Sequence, residues 1–203
     1  MRDCIFTAHC IEANCDMSCP ILVETSYLLE RNGIAMNNPV FSDPAVDFDK
    51  AKNVLSKAQG KVATYIATNG WNTTQCSDIL TYTAICQNWK GNQLHCSVYN
   101  LKYAKYLDEI KKSWSTKVEP ESLEYMRIWA ETAKVLIVSN LDYVNFGDFE
   151  SQTLLNLFQT RSGSDFTTIV VAPPLKQLVS AKFSVFFNSL KSILSDGVKV
   201  ITC

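Results

Sequence analysis

The chain of 203 residues has no excess of charge of either sign, with 19 Lys and Arg against 20 Asp and Glu. This balance excludes the broad basic field on which non-specific nucleic-acid binding depends. The sequence has no apolar run long enough to span a bilayer. Its first ten residues, MRDCIFTAHC, interrupt the apolar stretch that a secretory signal needs. We therefore expect a cytoplasmic protein with no membrane partner.

The composition of the chain, 47% hydrophobic and 19% charged, is that of an ordinary globular protein. The length allows one α/β core with a small appendage and is short for two independent domains. A turn-rich stretch at 35–44, AMNNPVFSDP, is the predicted boundary. The prediction divides the chain into a cysteine-rich metal-binding module with a helix at 1–34 and an α/β core at 45–203.

Cysteine is plentiful, and four of the eight cysteines lie between residues 4 and 19. In a reducing compartment, clustered thiols are more often metal ligands than disulfide partners. The cluster, Cys4, Cys10, Cys15 and Cys19, supplies four soft ligands, enough to complete a tetrahedral Zn²⁺ site or to hold an iron–sulfur cluster. The others, Cys76, Cys86, Cys96 and Cys203, are scattered and are predicted to be small hydrophobic residues.

Zinc is the predicted metal of this module, and two alternatives stay open. The paired C-x2-C spacing of many zinc sites is absent, whereas the Cys19-Pro20 ending is a feature of many [4Fe–4S] loops. His9 stands next to Cys10 and is a substitute for one thiolate. Four free thiols are the remaining alternative.

Strand and helix patterns alternate regularly from Val62 onward, which predicts a five-stranded parallel sheet with helices on both faces. The predicted strands are Val62–Thr68, Leu94–Tyr99, Val135–Ser139, Thr167–Ala172 and Val198–Thr202. The predicted helices are Ile21–Arg31, Val46–Gln59, Gln75–Trp89, Leu101–Lys112, Pro120–Lys134, Phe149–Arg161 and Ala181–Ser195. The first of these helices should stop at Asn32-Gly33, a pair that favours a left-handed terminator.

The run Lys134–Asp142, KVLIVSNLD, is typical of a buried central strand of a parallel sheet. The carboxyl end of such a strand is where these folds place their chemistry. The run ends in Ser139 and Asn140, where a nucleotide hydrolase of this architecture has carboxylates. Since neither side chain can be negatively charged, ATP hydrolysis is not expected.

In its order of elements, the chain from about Val62 to its end resembles the AAA+ ATPase core of DnaC-type helicase loaders, especially those of phages and mobile elements of Gram-positive bacteria. Segment 62–80, VATYIATNGWNTTQCSDIL, is similar to the first strand, phosphate loop and following helix, and 94–107 is similar to the second strand and its helix. Segment 134–144 is similar to the Walker B strand, and 154–173, LLNLFQTRSGSDFTTIVVAP, to the helix, arginine-containing turn and sensor strand. The segment CPILVETSYLLERNGI also resembles an N-terminal appendage of some of those phage proteins.

Both nucleotide motifs of that family are altered here. A phosphate loop needs glycine for close approach, lysine to neutralise charge and Ser or Thr to hold Mg²⁺. Between residues 68 and 77 the only glycine is Gly70, and there is no Lys or Arg. Gln75, Cys76 and Ser77 occupy the region of the Lys and Ser/Thr, and the bulky Trp71 opposes wrapping of a phosphate.

The Walker B carboxylates of the family correspond to Ser139 and Asn140. Asp142 lies two residues farther along and is not expected to reach the same point without a register shift. With both motifs lost, the resemblance implies a pseudo-ATPase. An unrelated α/β domain whose strands match by chance is the competing interpretation, and it also predicts no ATPase activity.

The resemblance implies a catalytically inactive accessory protein of phage or mobile-element DNA replication in a bacterial cell. Its partners would be a replicative helicase, an active AAA+ loader or another copy of the chain. Arg161, at the family's arginine position, would act in trans on a partner's nucleotide. One alternative is an inhibitor or decoy that binds a host replication or defence complex. Another is a thiol enzyme using Cys76 or Cys96, although His95 points away from Cys96 on a strand.

A set of aromatic and basic residues is a candidate contact for single-stranded DNA. Tyrosine and tryptophan at helical spacing are, however, more often core or interface residues. The set consists of Tyr99, Lys102, Tyr103, Lys105, Tyr106, Lys111, Lys112 and Trp114.

Overall fold

The computed structural model describes residues 20–43, 46–60, 62–66, 72–88, 97–161, 165–172 and 200–201. Within these residues the helices are α1 (Pro20–Arg31), α2 (Phe48–Ala58), α3 (Thr73–Asn88), α4 (Tyr103–Thr116), α5 (Glu121–Thr132) and α6 (Asp148–Thr160). The strands are β1 (Val62–Ile66), β2 (Val98–Lys102), β3 (Val135–Ser139), β4 (Thr167–Ala172) and β5 (Val200–Ile201). Among the described helices, none has the length and apolar character needed to cross a bilayer.

The strands form one sheet in the order β2-β3-β4-β1-β5, and every described pair of neighbours is parallel. Leu136 of β3 pairs with Tyr99 of β2 and Thr168 of β4, which makes β3 an interior strand. Side chains are described for β2, β3 and β4, and backbone pairing for β1 and β5. The predicted parallel sheet with covering helices is confirmed.

Two apolar clusters cover the two faces of the sheet. On one face, Leu136 and Val138 of β3 pack with residues of α4, α5 and α6. On the other, Ile137 packs with residues of α1, α2 and α3. This alternation follows from the two-residue period of a strand, and burial on both faces explains why β3 is apolar from Val135 to Val138.

The predicted bounds of the strands Val135–Ser139 and Thr167–Ala172 are confirmed, whereas the bounds of the second strand are wrong. That strand was predicted at Leu94–Tyr99 and lies at Val98–Lys102. The polar side chains of this strand contact residues distant in the sequence. Asn100 forms hydrogen bonds with Ser77 and Ser139, and Lys102 forms an ion pair with Asp78. The predicted strand Val198–Thr202 is described only at 200–201, and the predicted helix Ala181–Ser195 lies outside the described residues.

Helix α1 packs into the same apolar cluster as α2 and α3, through Leu28 and Leu29. It ends as predicted, with Gly33 at a φ of +68°. The side chain of Asn32 pairs with the edge of β2. Its Oδ1 accepts from the Asn100 N–H at 2.6 Å, and its Nδ2 donates to the Val98 carbonyl at 3.4 Å. Its Nδ2 also donates to the Leu28 carbonyl of α1 at 2.7 Å. Asn32 thereby provides hydrogen bonds to the β2 backbone that a neighbouring strand would otherwise provide.

Replacing Asn32 by alanine should lower the free energy of unfolding by roughly 2–3 kcal/mol, because buried backbone groups of β2 lose a partner. The measurement is urea unfolding followed by far-ultraviolet circular dichroism. Asn37→Ala is the matched control, since Asn37 is exposed and a surface change of this kind costs at most about 0.5 kcal/mol. Equal losses in the two variants would contradict the edge-pairing role.

Candidate functional site

The candidate site lies where helix α3 begins, at the carboxyl end of the sheet. A capping box fixes the first turn of this helix. The Gln75 N–H donates to Asn72 Oδ1 at 2.8 Å, and the Asn72 N–H donates to Gln75 Oε1 at 3.1 Å. The sequence contains this signal as Asn-x-x-Gln, which places the start of the helix at Thr73.

Thr73 and Thr74, in the first turn of α3, connect it to the segment that follows β3. The Thr73 hydroxyl donates to Asp142 Oδ1 at 2.8 Å, and the Thr74 hydroxyl donates to Asn140 Oδ1 at 3.2 Å. These two threonines, which the sequence analysis missed, are the α3 side chains that face the end of β3.

Gln75, Cys76 and Ser77 were predicted to occupy the Lys and Ser/Thr positions of a degenerate phosphate loop, and this assignment stays a prediction. In the structure Gln75 caps the helix, while Cys76 and Ser77 are 4% and 0% exposed. Gly70 and Trp71 lie outside the described residues.

Asp142 reaches the start of α3, contrary to the prediction. Asn140 adopts a left-handed conformation with a φ of 62°, which asparagine tolerates better than most residues. The 3₁₀ turn Leu141–Tyr143 follows and brings the Asp142 carboxylate back to Thr73. A local turn, and not a shift in strand register, therefore places a carboxylate beside the helix.

Ser139, the last residue of β3, is fully buried and belongs to a neutral hydrogen-bond network. Its hydroxyl donates to Asn100 Oδ1 at 2.9 Å, and Asn100 Nδ2 donates to Ser77 Oγ at 3.3 Å. The Ser77 hydroxyl donates in turn to the Thr74 carbonyl at 2.8 Å. The network links β3, β2 and α3 without any ionised group.

Charged side chains lie at two separate places at this end of the sheet: the Asp142 carboxylate beside the start of α3, and the ion pair of Lys102 and Asp78. The positive end of the α3 dipole favours an anion, and the Asp142 carboxylate lies there. Lys102, at the end of β2, pairs with Asp78 at 3.2 Å, and Asn38 also donates to Asp78. Burial raises the pKa of Asp78 above its ordinary value, and Lys102 partly opposes this increase.

Two solved structures are similar in fold to this chain. One is the crystal structure of a DNA replication initiation factor, with a TM-score of 0.55 and 11% identity over 81% of this chain and 50% of that chain. The other is AMPPCP-bound DnaA from Aquifex aeolicus, with a TM-score of 0.55 and 12% identity over 82% of this chain and 51% of that chain. The chain thus spans about half the length of either structure. No family model and no curated protein sequence matches it.

The chain shares the fold of these two structures. At 11% and 12% identity the likeness concerns the fold alone, and it agrees with the parallel α/β fold expected from the sequence. In the AAA+ fold, the phosphate loop joins the first strand to the following helix. Thr73, Thr74, Asn140 and Asp142 lie where the resemblance to AAA+ ATPases predicts the nucleotide site, and they bring together two hydroxyls, one amide and one carboxylate.

Arg161 was predicted to act in trans on a partner's nucleotide, and the structure places its side chain in the interior of the fold. The side chain is 1% exposed and packs over the Phe166 ring at 4.9 Å. Its guanidinium donates to the carbonyls of Ala130, Glu131 and Thr167 and to the Thr168 hydroxyl at 2.8–3.2 Å. Burial lowers the pKa of Arg161 to about 10. This arginine joins α5, α6 and β4 inside the fold.

The hypothesis of single-stranded DNA binding is wrong for its three tyrosines, because Tyr99, Tyr103 and Tyr106 are 6%, 0% and 9% exposed. The Tyr103 hydroxyl donates to the Glu150 carbonyl at 2.5 Å. Rings buried in this way cannot stack on bases. Of the remaining members, Lys111 and Lys112 pair with Glu150 and Glu109, whereas Trp114 is 59% exposed.

The predicted metal ligands Cys4, Cys10, Cys15 and Cys19 lie outside the described residues. Cys96, of the thiol-enzyme alternative, and Cys203 do so as well. In the described ranges, no group of three or more His, Cys, Asp and Glu side chains is placed to hold a metal ion. The zinc module stays a prediction.

Proposed function

We propose that this chain is a catalytically inactive AAA+ protein that acts as a protein-binding accessory in the DNA replication of a phage or mobile element. One observation supports the loss of catalysis: the Thr73 and Thr74 hydroxyls at the AAA+ phosphate position bond to Asp142 and Asn140. The fold supports the replication context, because one structural neighbour is named as a DNA replication initiation factor.

The chemistry of phosphoryl transfer gives the physical reason for inactivity. That reaction depends on a cation at the transferred phosphate and on a carboxylate that holds Mg²⁺. In this chain the α3 start has threonines, and Ser139 is neutral and faces Asn100. The Asp142 carboxylate lies at the helix end where a phosphate would bind, and two like charges there repel each other.

The partner we propose is a replicative helicase, an active AAA+ loader or a second copy of the chain, within a bacterial cell. The cysteines of the N-terminal module, Cys4, Cys10, Cys15 and Cys19, are proposed to bind zinc, with a [4Fe–4S] cluster as the alternative. Such a metal would stabilise a segment that has few large apolar side chains of its own.

Nucleotide should not stabilise the protein. With about 5 mM Mg-ATP or Mg-AMPPCP, the melting temperature should change by less than about 1 °C, because the stabilisation by a ligand is negligible when its concentration lies far below its dissociation constant. Phosphate release should equal that of the buffer. A concentration-dependent increase that disappears in the Thr73→Val/Thr74→Val variant would contradict the proposal.

A further inference from the structure

The pair Asn-Gly occurs twice in the sequence, at 32–33 and at 69–70. An asparagine followed by glycine is prone to deamidation, because glycine has no Cβ to hinder attack of its backbone nitrogen on the asparagine side chain. The first pair directly follows α1, and its Asn32 side chain bonds to the edge of β2. The second pair lies outside the described residues. A chemically labile sequence thus coincides with a side chain that joins α1 to the sheet.

The deamidation reaction needs only the chain and water. The Gly33 nitrogen loses its proton to solvent and attacks Cγ of Asn32, and the new C–N bond closes a succinimide ring. The side-chain nitrogen of Asn32 leaves as ammonia with a proton taken from solvent. Water then opens the ring at either carbonyl, which gives aspartate or isoaspartate at position 32. No oxidant, reductant or cofactor takes part.

The native contacts of Asn32 oppose the ring closure. The residue is 3% exposed. Its Nδ2 donates to the Leu28 and Val98 carbonyls at 2.7 and 3.4 Å, and its Oδ1 accepts from the Asn100 N–H at 2.6 Å. Attack makes Cγ tetrahedral and carries its oxygen and nitrogen out of the plane in which they meet these partners. Ring closure in the native state therefore has to break three hydrogen bonds in a buried site.

Space at Gly33 does not oppose the reaction. Gly33 is exposed, and an added Cβ there would meet no atom within 4 Å. Its N–H donates to the Glu30 carbonyl at 2.8 Å, a bond within the turn that ends α1. The protection of the pair thus depends on the burial and the hydrogen bonds of Asn32, and it is lost when the end of α1 separates from β2.

The product of deamidation does not fit the native site. A carboxylate at position 32 has no hydrogen to donate, so an oxygen would face the Leu28 and Val98 carbonyl oxygens in place of Nδ2. A negative charge in this buried site also loses its hydration. The isoaspartyl product adds a methylene to the main chain next to Gly33, whose φ of +68° ends α1. Neither product is expected to re-form the native contact.

We propose that Asn32-Gly33 is a deamidation site that the native structure protects and that separation of α1 from β2 exposes. Deamidation makes the separation irreversible, because the amide that holds α1 to the sheet is converted to an acid. A chain that has reacted has one additional negative charge. This inference goes beyond the proposed accessory function and depends on neither that function nor nucleotide binding.

The test compares the full chain in native buffer with the same chain in guanidinium chloride, both at physiological temperature and pH. Anion-exchange chromatography separates the deamidated molecules, and tandem mass spectrometry of their peptides assigns the position. In denaturant, Asn32 and Asn69 should react at rates within about three-fold of each other, since local sequence then dominates the rate. In native buffer, Asn32 should react at least about one hundred-fold more slowly than in denaturant, because only opened molecules react.

A variant that loosens α1 should accelerate the native reaction. Leu29 lies three residues before Asn32 and is fully buried. Leu29→Ala should therefore raise the native rate at Asn32 by about ten-fold or more. The matched control is Tyr27→Ala on the same helix, at a residue that is 59% exposed, and it should change that rate by less than about two-fold. In denaturant, both variants should react at the rate of the original chain.

The effect of the product on folding is measured with Asn32→Asp, which has the acid in place of the amide. Its urea midpoint should fall by roughly 1 M or more at neutral pH, because a buried carboxylate replaces a hydrogen-bond donor. Asn37→Asp is the matched control, since Asn37 is exposed, and it should keep the original midpoint.

Four results would overturn the proposal. Asn32 reacts as fast in native buffer as in denaturant, or it stays intact in denaturant while Asn69 reacts. Asn32→Asp keeps the urea midpoint of the original chain. Leu29→Ala and Tyr27→Ala have equal native rates, so that protection does not depend on the packing of α1.

Discussion

Replacing Arg161 by alanine is expected to lower the free energy of unfolding by roughly 3–5 kcal/mol, a large share of the stability of a domain of this size. The guanidinium satisfies three backbone carbonyls and the Thr168 hydroxyl in a buried site. Alanine would leave these acceptors unpaired and open a cavity beside Phe166. Urea unfolding of the isolated chain, followed by circular dichroism, measures the loss.

Two further variants make the Arg161 experiment specific. Arg161→Lys keeps a positive charge but cannot reach all the acceptors, so it should recover only part of the loss. Arg127→Ala is the surface control, because Arg127 is 46% exposed in its pair with Glu119 and such pairs contribute at most about 1 kcal/mol. Full stability of the Arg161→Ala variant, with a defect seen only on addition of a partner, would restore the trans hypothesis.

Replacing Ser139 by aspartate, which puts a carboxylate at the end of β3 where the resemblance to AAA+ ATPases places the Walker B motif, is expected to cost several kcal/mol at neutral pH. The Ser139 side chain is fully buried, and its hydroxyl donates to Asn100 Oδ1. A carboxylate there has no hydrogen to donate and would face an oxygen at close range. The loss is measured by urea unfolding, as for Arg161.

Ser139→Asn is the matched control, because its amide is similar in size to the carboxylate and can donate to Asn100 Oδ1. It should cost about 1–2 kcal/mol through overpacking. Burial raises the pKa of a carboxyl, so the aspartate variant should regain stability as the pH falls and the introduced group becomes protonated. The difference between the two variants should therefore shrink from pH 7 toward pH 5. A stable aspartate variant that binds Mg-ATP would show that the network can become a nucleotide site.

Much of the scaffold could be predicted from sequence because it depends on local patterns. The strands Val135–Ser139 and Thr167–Ala172 have the predicted bounds, because each contains an apolar run, Val135–Val138 and Ile169–Ala172, of the kind that burial on both faces of a sheet favours. Asn32-Gly33 ends α1 where predicted, because the left-handed conformation at Gly33 is a local preference.

Only the tertiary structure decided which side chains meet. Thr73 contacts Asp142 across 69 residues because Asn140 turns the chain back, and strand register alone does not include that turn. Arg161 has partners near residue 130, so a residue that would be exposed at the end of an isolated helix is instead buried. The tyrosines of the predicted DNA contact are core residues for the same reason. Local conformation is set by neighbours in sequence, whereas burial and hydrogen-bond partners are set by the packing of elements distant in the chain.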